Sequence, residues 1–343
     1  MRDKPTYTIT EKAADSVAKI VETVGRLTGE REFVRDIRLH RENRIRTIHS
    51  SLAIEGNSLS LKDVTAVLDG KIVAGKQTDI KEVKNAYQAY DEIMSCDPYD
   101  ITDFLKAHKL MTDGLIRESG VFRSEDVGVF DGDVPIHSGA RPQFVPRLVE
   151  DLFVWGRGSD LHPVLKSAII HYEIETIHPF ADGNGRMGRL WQTLILAKWN
   201  SLFAWIPMES VMYKKRPLYY EAIEASRDVN DSGAFIEFTL SALLEIITTQ
   251  VTHTNRDEAE HQVKHQVKHQ VELTEIHVSV LRALEKKPLS RKEIFSFLAM
   301  SGDTRAYQRH LAPLLDSGLI ERTIPDKPNS RMQKYRLTDK GKS

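Results

Sequence analysis

The sequence predicts a mainly α-helical protein that carries one short β-hairpin and ends in a small winged-helix (α+β) module. Three observations support this. Apolar residues recur at helical spacing over most of residues 11–251, two short strands around an Asp-Gly turn stand between residues 127 and 137, and past residue 272 short helical stretches lead into a pair of strands. At 343 residues the chain is long enough to divide into modules.

Residues 11–27 and 32–54 carry apolar positions at helical spacing. Leu59-Ser60-Leu61-Lys62-Asp63 supplies a serine cap with an acid three residues on, which opens the next helix. Further helices are predicted near 80–95 and 101–118. Val127-Gly128-Val129-Phe130-Asp131-Gly132-Asp133-Val134-Pro135-Ile136-His137 then reads as two short strands around an Asp-Gly turn. A lone hairpin in a helical domain serves as a flap, a clamp or a connector. Helical spacing resumes at 145–156 and 163–177, is broken by Pro179 and the glycines that follow, and returns from Met187 to Trp199. Helices over 217–228 and 233–251 complete this part.

His261-Gln-Val-Lys, His265-Gln-Val-Lys and His269-Gln-Val-Glu repeat with period four, so Val263, Val267 and Val271 form a drifting stripe on a linking helix. His261, His265 and His269 share a neighbouring face on which a transition metal could sit; a solvent-facing linker helix is the reading adopted. From Glu272 onward the pattern is a helix, Pro288, a Ser290 to Glu293 capping box, and a third helix near 304–316. Strands at 318–323 and 334–338 follow, around Asp326-Lys327-Pro328-Asn329. Arg305, Arg309 and His310 on the third helix, with Lys327, Arg331, Lys334 and Arg336 on the wing, suffice for contact with DNA phosphates. Protein docking uses the same kind of surface.

The 48 basic and 49 acidic side chains leave a formal charge of -1, so no global field draws the protein to nucleic acid or an anionic membrane. Cys96 is the only cysteine, which excludes an intramolecular disulfide framework and a cysteine-built zinc site. The start lacks a secretory apolar core and no apolar run approaches membrane-spanning length, so a soluble, cytoplasmic protein is expected.

The chemistry concentrates in His178-Pro179-Phe180-Ala181-Asp182-Gly183-Asn184-Gly185-Arg186-Met187-Gly188-Arg189. Pro179 stops the preceding helix, so the His178 ring can be fixed at the mouth of a cleft and accept a proton from a hydroxyl near neutral pH. Phe180 is an apolar anchor. Asp182 suits magnesium, a hard ion that prefers carboxylate and phosphate oxygens. Gly183 and Gly185 free backbone amides for phosphate oxygens, Asn184 holds the turn, and Arg186 and Arg189 offer charged forks. The later half lies at a helix N-terminus, where phosphate is held.

This segment resembles in full the Fic signature H-P-F-x-[DE]-G-N-G-R-x-x-R, and the similarity spans residues from about 30 to 250. The resemblance implies an all-helical core and transfer of AMP from ATP to a Ser, Thr or Tyr hydroxyl of a protein, with release of pyrophosphate. His178 then resembles the base that deprotonates the target, and Asp182 the ligand of the magnesium (Mg2+) that bridges the ATP phosphates. Gly183, Asn184, Gly185, Arg186, Met187 and Gly188 lie in the phosphate-binding stretch, and Arg189 resembles the arginine that holds the γ-phosphate. Val127, Gly128, Val129, Phe130, Val134, Ile136 and His137 look like the flap that aligns a target by backbone pairing. Tyr219 and Tyr220 lie where related proteins contact the adenine end; on their own they read equally as helix packing.

A second stretch, Ser51-Leu52-Ala53-Ile54-Glu55-Gly56-Asn57, is similar to the family's inhibitory sequence [ST]-x-x-x-E-[GN]. Gly56 can end the helix that carries Glu55, and a carboxylate paired with Arg189 would take the charge and space meant for the γ-phosphate. The implied organisation is an N-terminal helical region over 1–100 with its inhibitory helix at about 32–55, a catalytic core over 101–250, a helical linker over 251–272 and a winged-helix domain over 273–343. Implied partners are a protein substrate, which the family lets include the chain itself, and a second copy in a homodimer. Two rival readings fit the residues: removal of AMP with Glu55 orienting water, and a winged-helix DNA-binding regulator with nucleotide sensing attached.

Overall fold

Two neighbouring helices are buried nearly all round, and the first unit of the fold is built on them. In the computed structural model the chain forms two units, Met1–Thr252 and His253–Ser343. Residues 4–29, 37–131, 134–249, 275–285, 287–298, 300, 304–325, 330 and 332–342 are described. Helices α1 (Glu11–Gly29), α2 (Ile37–Ile54), α3 (Leu61–Leu68), α4 (Gln77–Glu92) and α5 (Ile101–Thr112) precede the hairpin of β1 (Gly128–Asp131) and β2 (Val134–Ser138). Then come α6 (Val145–Gly158), α7 (Pro163–Ile177), α8 (Asn184–Trp199), α9 (Glu209–Lys214), α10 (Arg216–Val229) and α11 (233–249).

Twelve of the fifteen residues of α7 and thirteen of the sixteen of α8 are buried, so these two helices are covered on both sides. One cluster takes Leu165, Ala168, Ile169, Tyr172 and Leu196 with Ile20, Leu27, Phe235 and Leu240. The other takes Ile170, Ile174, Ile177, Leu190 and Trp191 with Phe104, Phe153 and Phe180. The His178–Asn184 connection between α7 and α8 is therefore held by packing on either flank. Gly188 lets the two helices approach: a Cβ there would stand 2.5 Å from the His171 ring.

The local signals act as the sequence suggests. Ser60 and Asp63 form a complete capping box for α3. Gly56, at φ 94°, ends α2 in a Schellman motif: Asn57 N donates to Leu52 O at 3.1 Å and Gly56 N to Ala53 O at 3.2 Å. This puts Glu55 at the helix end with its side chain one turn beyond Ser51. The helix expected over 101–118 stops at Thr112, because Gly114 takes a left-handed φ of 61° and residues 113–115 turn. Helix α8 begins at Asn184, three residues before the apolar spacing does.

β1 and β2 pair antiparallel, Gly128 with Ser138, Val129 with His137, Phe130 with Pro135 and Asp131 with Val134, so a bulge passes over Ile136. They make a two-stranded sheet by themselves. No helix among the described residues is long and apolar enough to cross a membrane.

The second unit is a winged-helix-like α+β domain. Helices α12 (Glu275–Leu284), α13 (Arg291–Phe297), α14 (Thr304–His310), α15 (Ala312–Asp316) and α16 (Asp339–Lys342) surround strands β3 (Leu289–Ser290), β4 (Ile320–Arg322) and β5 (Lys334–Leu337). The sheet is antiparallel in the order β3-β5-β4, and Val280, Ile294, Phe295, Leu311, Leu314 and Tyr335 form its core. The helix expected over 304–316 splits at Leu311. Pro313 cannot donate to Arg309 O, and the His277 ring nitrogen lies 3.3 Å from that carbonyl instead. Ser290 and Glu293 form the expected capping box. Of the basic set proposed to meet phosphates, His310 is buried in this unit and Arg336 is paired with Glu321 at 2.6 Å. Lys327, Arg331 and the repeated His261, His265 and His269 lie outside the described residues, as does the side chain of Arg305.

All four tryptophans, Trp155, Trp191, Trp199 and Trp205, are in the first unit, so their emission reports its unfolding alone. Phe104 packs against Phe153, Phe180 and Trp191 at centroid distances of 5.3, 5.1 and 4.8 Å. Phe104→Ala is expected to lower the stability of this unit by about 3–5 kcal/mol, measured by tryptophan emission in urea.

Candidate active site

The first turn of α8 opens on a left-handed residue, Gly183 at φ 87°, and its first backbone bond runs from Met187 N to Gly183 O at 2.9 Å. The amides of Asn184, Gly185 and Arg186 are thus the helix's N-terminal donors, where the helix dipole favours an anion. Asn184 locks the turn from inside: its Nδ2 donates to Phe180 O at 2.8 Å, and its Oδ1 accepts from Phe180 N at 2.9 Å. Phe180 is fully buried and stacked on His108 at 3.7 Å, so the loop is pinned at its middle.

Arg189, one turn into α8, is fully buried. Its Nε donates to Ser51 Oγ at 3.1 Å, and its Nη2 donates to Ser51 O at 3.0 Å and to Glu55 Oε1 at 2.7 Å. The Ser51-to-Glu55 spacing therefore presents one turn of α2 to a single guanidinium. α2 itself is anchored: His40 stacks on Trp205 at 4.5 Å, the Arg44 guanidinium lies 4.9 Å from the Trp205 ring, and Ser50 Oγ is 3.3 Å from Ser210 Oγ. Nη1 of Arg189 is buried without an acceptor.

A side chain at Gly185 would collide with the Glu55 carboxylate and stand 3.1 Å from Arg189 Nη1 and 3.2 Å from Glu175 Oε1. Glycine amides, a buried charge with an unmet donor and a carboxylate seated against them thus surround one small space. Its chemistry fits the terminal phosphate of a nucleotide.

Asp182 stands at the rim, its side chain more than half exposed, and pairs with Arg186 Nη2 at 2.9 Å. Arg186 also reaches Glu82 at 3.3 Å, so its guanidinium addresses two carboxylates. Among the described residues no three His, Cys, Asp or Glu side chains converge on a metal position. Asp182 would hold magnesium jointly with phosphate oxygens and water. His178 caps α7 in a left-handed conformation, φ 53° and ψ 62°, with its ring Nδ1 3.4 Å from Glu175 O.

Other members of the predicted set turn inward. Met187 is fully buried in the second core cluster, and Gly188 meets the His171 ring. Tyr219 is buried: its hydroxyl donates to Glu175 Oε1 at 3.1 Å and lies 3.2 Å from His171 Nε2. Tyr220 is partly exposed and its hydroxyl lies 3.4 Å from Ile54 O, beside Glu55. The hairpin from Gly128 to Ser138 is described by its backbone pairing alone.

Two residues of the site carry no signal in the motif. His108 bridges Asp182 O at 3.0 Å and Gly120 N at 3.0 Å, and burial drops its pKa to about 4, so it acts as a neutral strut. Glu175 lies three residues before His178 on α7; only that helical spacing could have marked it. Burial first, and the nearby Glu55 carboxylate second, push its pKa up to about 7 against the pull of Arg189. Arg189 is shifted upward: burial alone would lower it, but Glu55, Tyr219 and Glu175 outweigh that.

Because the folded pKa of Glu175 exceeds its ordinary 4.5, the fold binds a proton that the unfolded chain releases. Its contribution is full below 4.5 and is lost as pH rises through about 7. Glu175→Gln is expected to gain stability relative to wild type between about pH 5 and about pH 8, followed by urea unfolding of the first unit at the two pH values.

Residues 98–196 match the Fic/DOC family, and residues 277–338 match the Filamentation induced by cAMP protein Fic-like, C-terminal domain. Among curated proteins, the chain is 27% identical over 219 residues to Protein adenylyltransferase fic-1 of Caenorhabditis elegans, covering 59% of this chain and 40% of that one. It is 28% identical over 241 residues to Protein adenylyltransferase Fic of Nematostella vectensis, covering 67% and 52%. The chain thus spans about half the length of these two relatives or less. Fic-1 of C. elegans shares the fold, with a TM-score of 0.60 at 22% identity over 71% of this chain and 73% of that one. A crystal structure of a Fic family protein from Desulfovibrio desulfuricans G20 superposes with a TM-score of 0.74 at 41% identity, over 98% of this chain and 99% of that one. With that identity over nearly the full length of both chains, on a helical core whose two central helices flank the turn that opens at His178, this chain belongs to the Fic family.

Proposed function

We propose that this protein is an adenylyltransferase, restrained by its own Glu55, that transfers AMP from ATP to a Ser, Thr or Tyr hydroxyl of a protein. The observation that carries the reading is the 2.7 Å contact between Glu55 and Arg189 against Gly185. A carboxylate holds a fully buried guanidinium suited to a terminal phosphate, and it does so from a helix outside the signature segment.

In the reaction, His178 takes the proton of the target hydroxyl. The hydroxyl oxygen forms a bond to the α-phosphorus as the bond to the pyrophosphate oxygen breaks. The amides at the start of α8 and the guanidinium of Arg189 hold phosphate oxygens in place, and much of the acceleration comes from that positioning. Asp182 would hold magnesium, which would supply further neutralisation of phosphate charge. While Glu55 occupies Arg189, the triphosphate is denied its terminal contact and the α-phosphate is turned away from attack. The flap has the pairing pattern to align a target by strand addition, since its two strands bond only to each other among the described residues.

One observation favours a second activity, hydrolysis of AMP-protein. The Glu55 side chain is about a third exposed, so water reaches a carboxylate seated beside the phosphate cradle. Glu55 would orient that water toward the phosphodiester.

Wild type, Glu55→Gly, and Glu55→Gly with His178→Ala are to be incubated with ATP and magnesium and weighed intact. The account expects a gain of one or more AMP units in Glu55→Gly and in neither other protein. If self-modification is absent, a panel of proteins with α-labelled ATP replaces it. Equal labelling by wild type and Glu55→Gly would remove the inhibitory role, and labelling by the double variant would remove His178 as the base.

A further inference from the structure

The flap stem and the backbone of His178 meet at one side chain that the reaction scheme does not use. Arg123 is 3% exposed. Its Nε donates to His178 O at 2.7 Å, its Nη1 to Glu125 O at 2.8 Å and its Nη2 to Ala140 O. Its own amide donates to Pro179 O at 3.1 Å. Glu125 is on the chain running into β1, and Ala140 is on the chain leaving β2. The third acceptor belongs to the end of α7, 55 residues further along.

The packing around this fork is close. Gly139 N donates to Val127 O at 3.1 Å, closing the stem below the hairpin. A Cβ at Gly139 would stand 2.9 Å from Arg123 Nη2, 3.2 Å from Val127 Cγ2 and 3.3 Å from His178 Cβ, so the stem leans on His178 itself. His178 holds a left-handed φ of 53°, uncommon for a residue with a side chain. The two backbone oxygens on either side of the His178–Pro179 bond both accept from Arg123.

We propose that Arg123 is a positioning residue, a planar fork that fixes the stem of the flap to the backbone of His178 and so sets the separation between a docked target strand and the base. This rests on the reading of His178 as base and of the hairpin as docking edge. Arginine is required by geometry. Its donors lie in one plane with fixed directions and reach three carbonyls on three segments together, whereas a lysine ammonium is a single point on a flexible stem.

The test uses Arg123→Lys and Arg123→Met, each in wild type and in Glu55→Gly. Hydrogen exchange in the wild-type background needs no activity. Amides of residues 127–140 are expected to exchange about tenfold faster or more, while peptides from α7 and α8 keep their protection. In the Glu55→Gly background the rate of AMP transfer at saturating ATP is expected to fall about 100-fold with the KM for ATP unchanged, and lysine is expected to rescue little. Unchanged exchange over 127–140, loss of protection throughout the first unit, a transfer rate equal to that of Glu55→Gly, or full rescue by lysine would each overturn the proposal. Absence of transfer in Glu55→Gly itself would instead sink the adenylyltransferase reading, and the exchange data would still decide whether Arg123 clamps the flap.

Discussion

A fully buried guanidinium must have counter-charge, and the site is organised around how Arg189 obtains it. Desolvating a cation costs several kcal/mol unless acceptors and an anion surround it. Here Ser51 supplies a hydroxyl and a carbonyl, Glu55 supplies a carboxylate at 2.7 Å, and Glu175 stands close behind. One nitrogen still lacks an acceptor. Glu55 supplies the anion in this structure, and the same donors would suit a phosphate in its stead. Glu175 sharpens this choice: two carboxylates near one arginine repel, and the more deeply buried one keeps its proton up to about pH 7.

The precision of the site comes from the packing of α7 against α8. Both helices are covered on both flanks, so the connection between them cannot drift without opening one cluster or the other. Two glycines of the segment do different work there. Gly185 leaves the space that the Glu55 carboxylate enters, and Gly188 lets the helices close on the His171 ring. Phe180 and Asn184 then fasten the turn from within, through stacking and a reciprocal pair of hydrogen bonds.

The helical frame was legible in the sequence because its signals are local. Apolar periodicity, two capping boxes, the paired strands of the hairpin and the helix-ending Gly56 all act within a few residues of where they occur. The signature segment was legible as a unit because nearly every one of its positions is chemically restricted. Individual assignments were less so: Met187 and Gly188 within it, and Tyr219 beyond it, face the core, a distinction that depends on which helix covers which face. Glu175, His108 and Arg123 were missed because their roles arise mainly from contacts between distant segments, such as Arg123 with His178. The split at Leu311 follows from Pro313 and could have been read locally; the burial of His310 in the second unit could not.

In the proposed function, Glu55 and a terminal phosphate are alternatives at Arg189. The most direct test is a crystal structure of Glu55→Gly with a non-hydrolysable ATP analogue and magnesium. The predicted result has the γ-phosphate within hydrogen-bond distance of Arg189, in the space beside Gly185 that Glu55 fills here. A triphosphate bound elsewhere, with Arg189 still held by Ser51 and facing no phosphate, would contradict it.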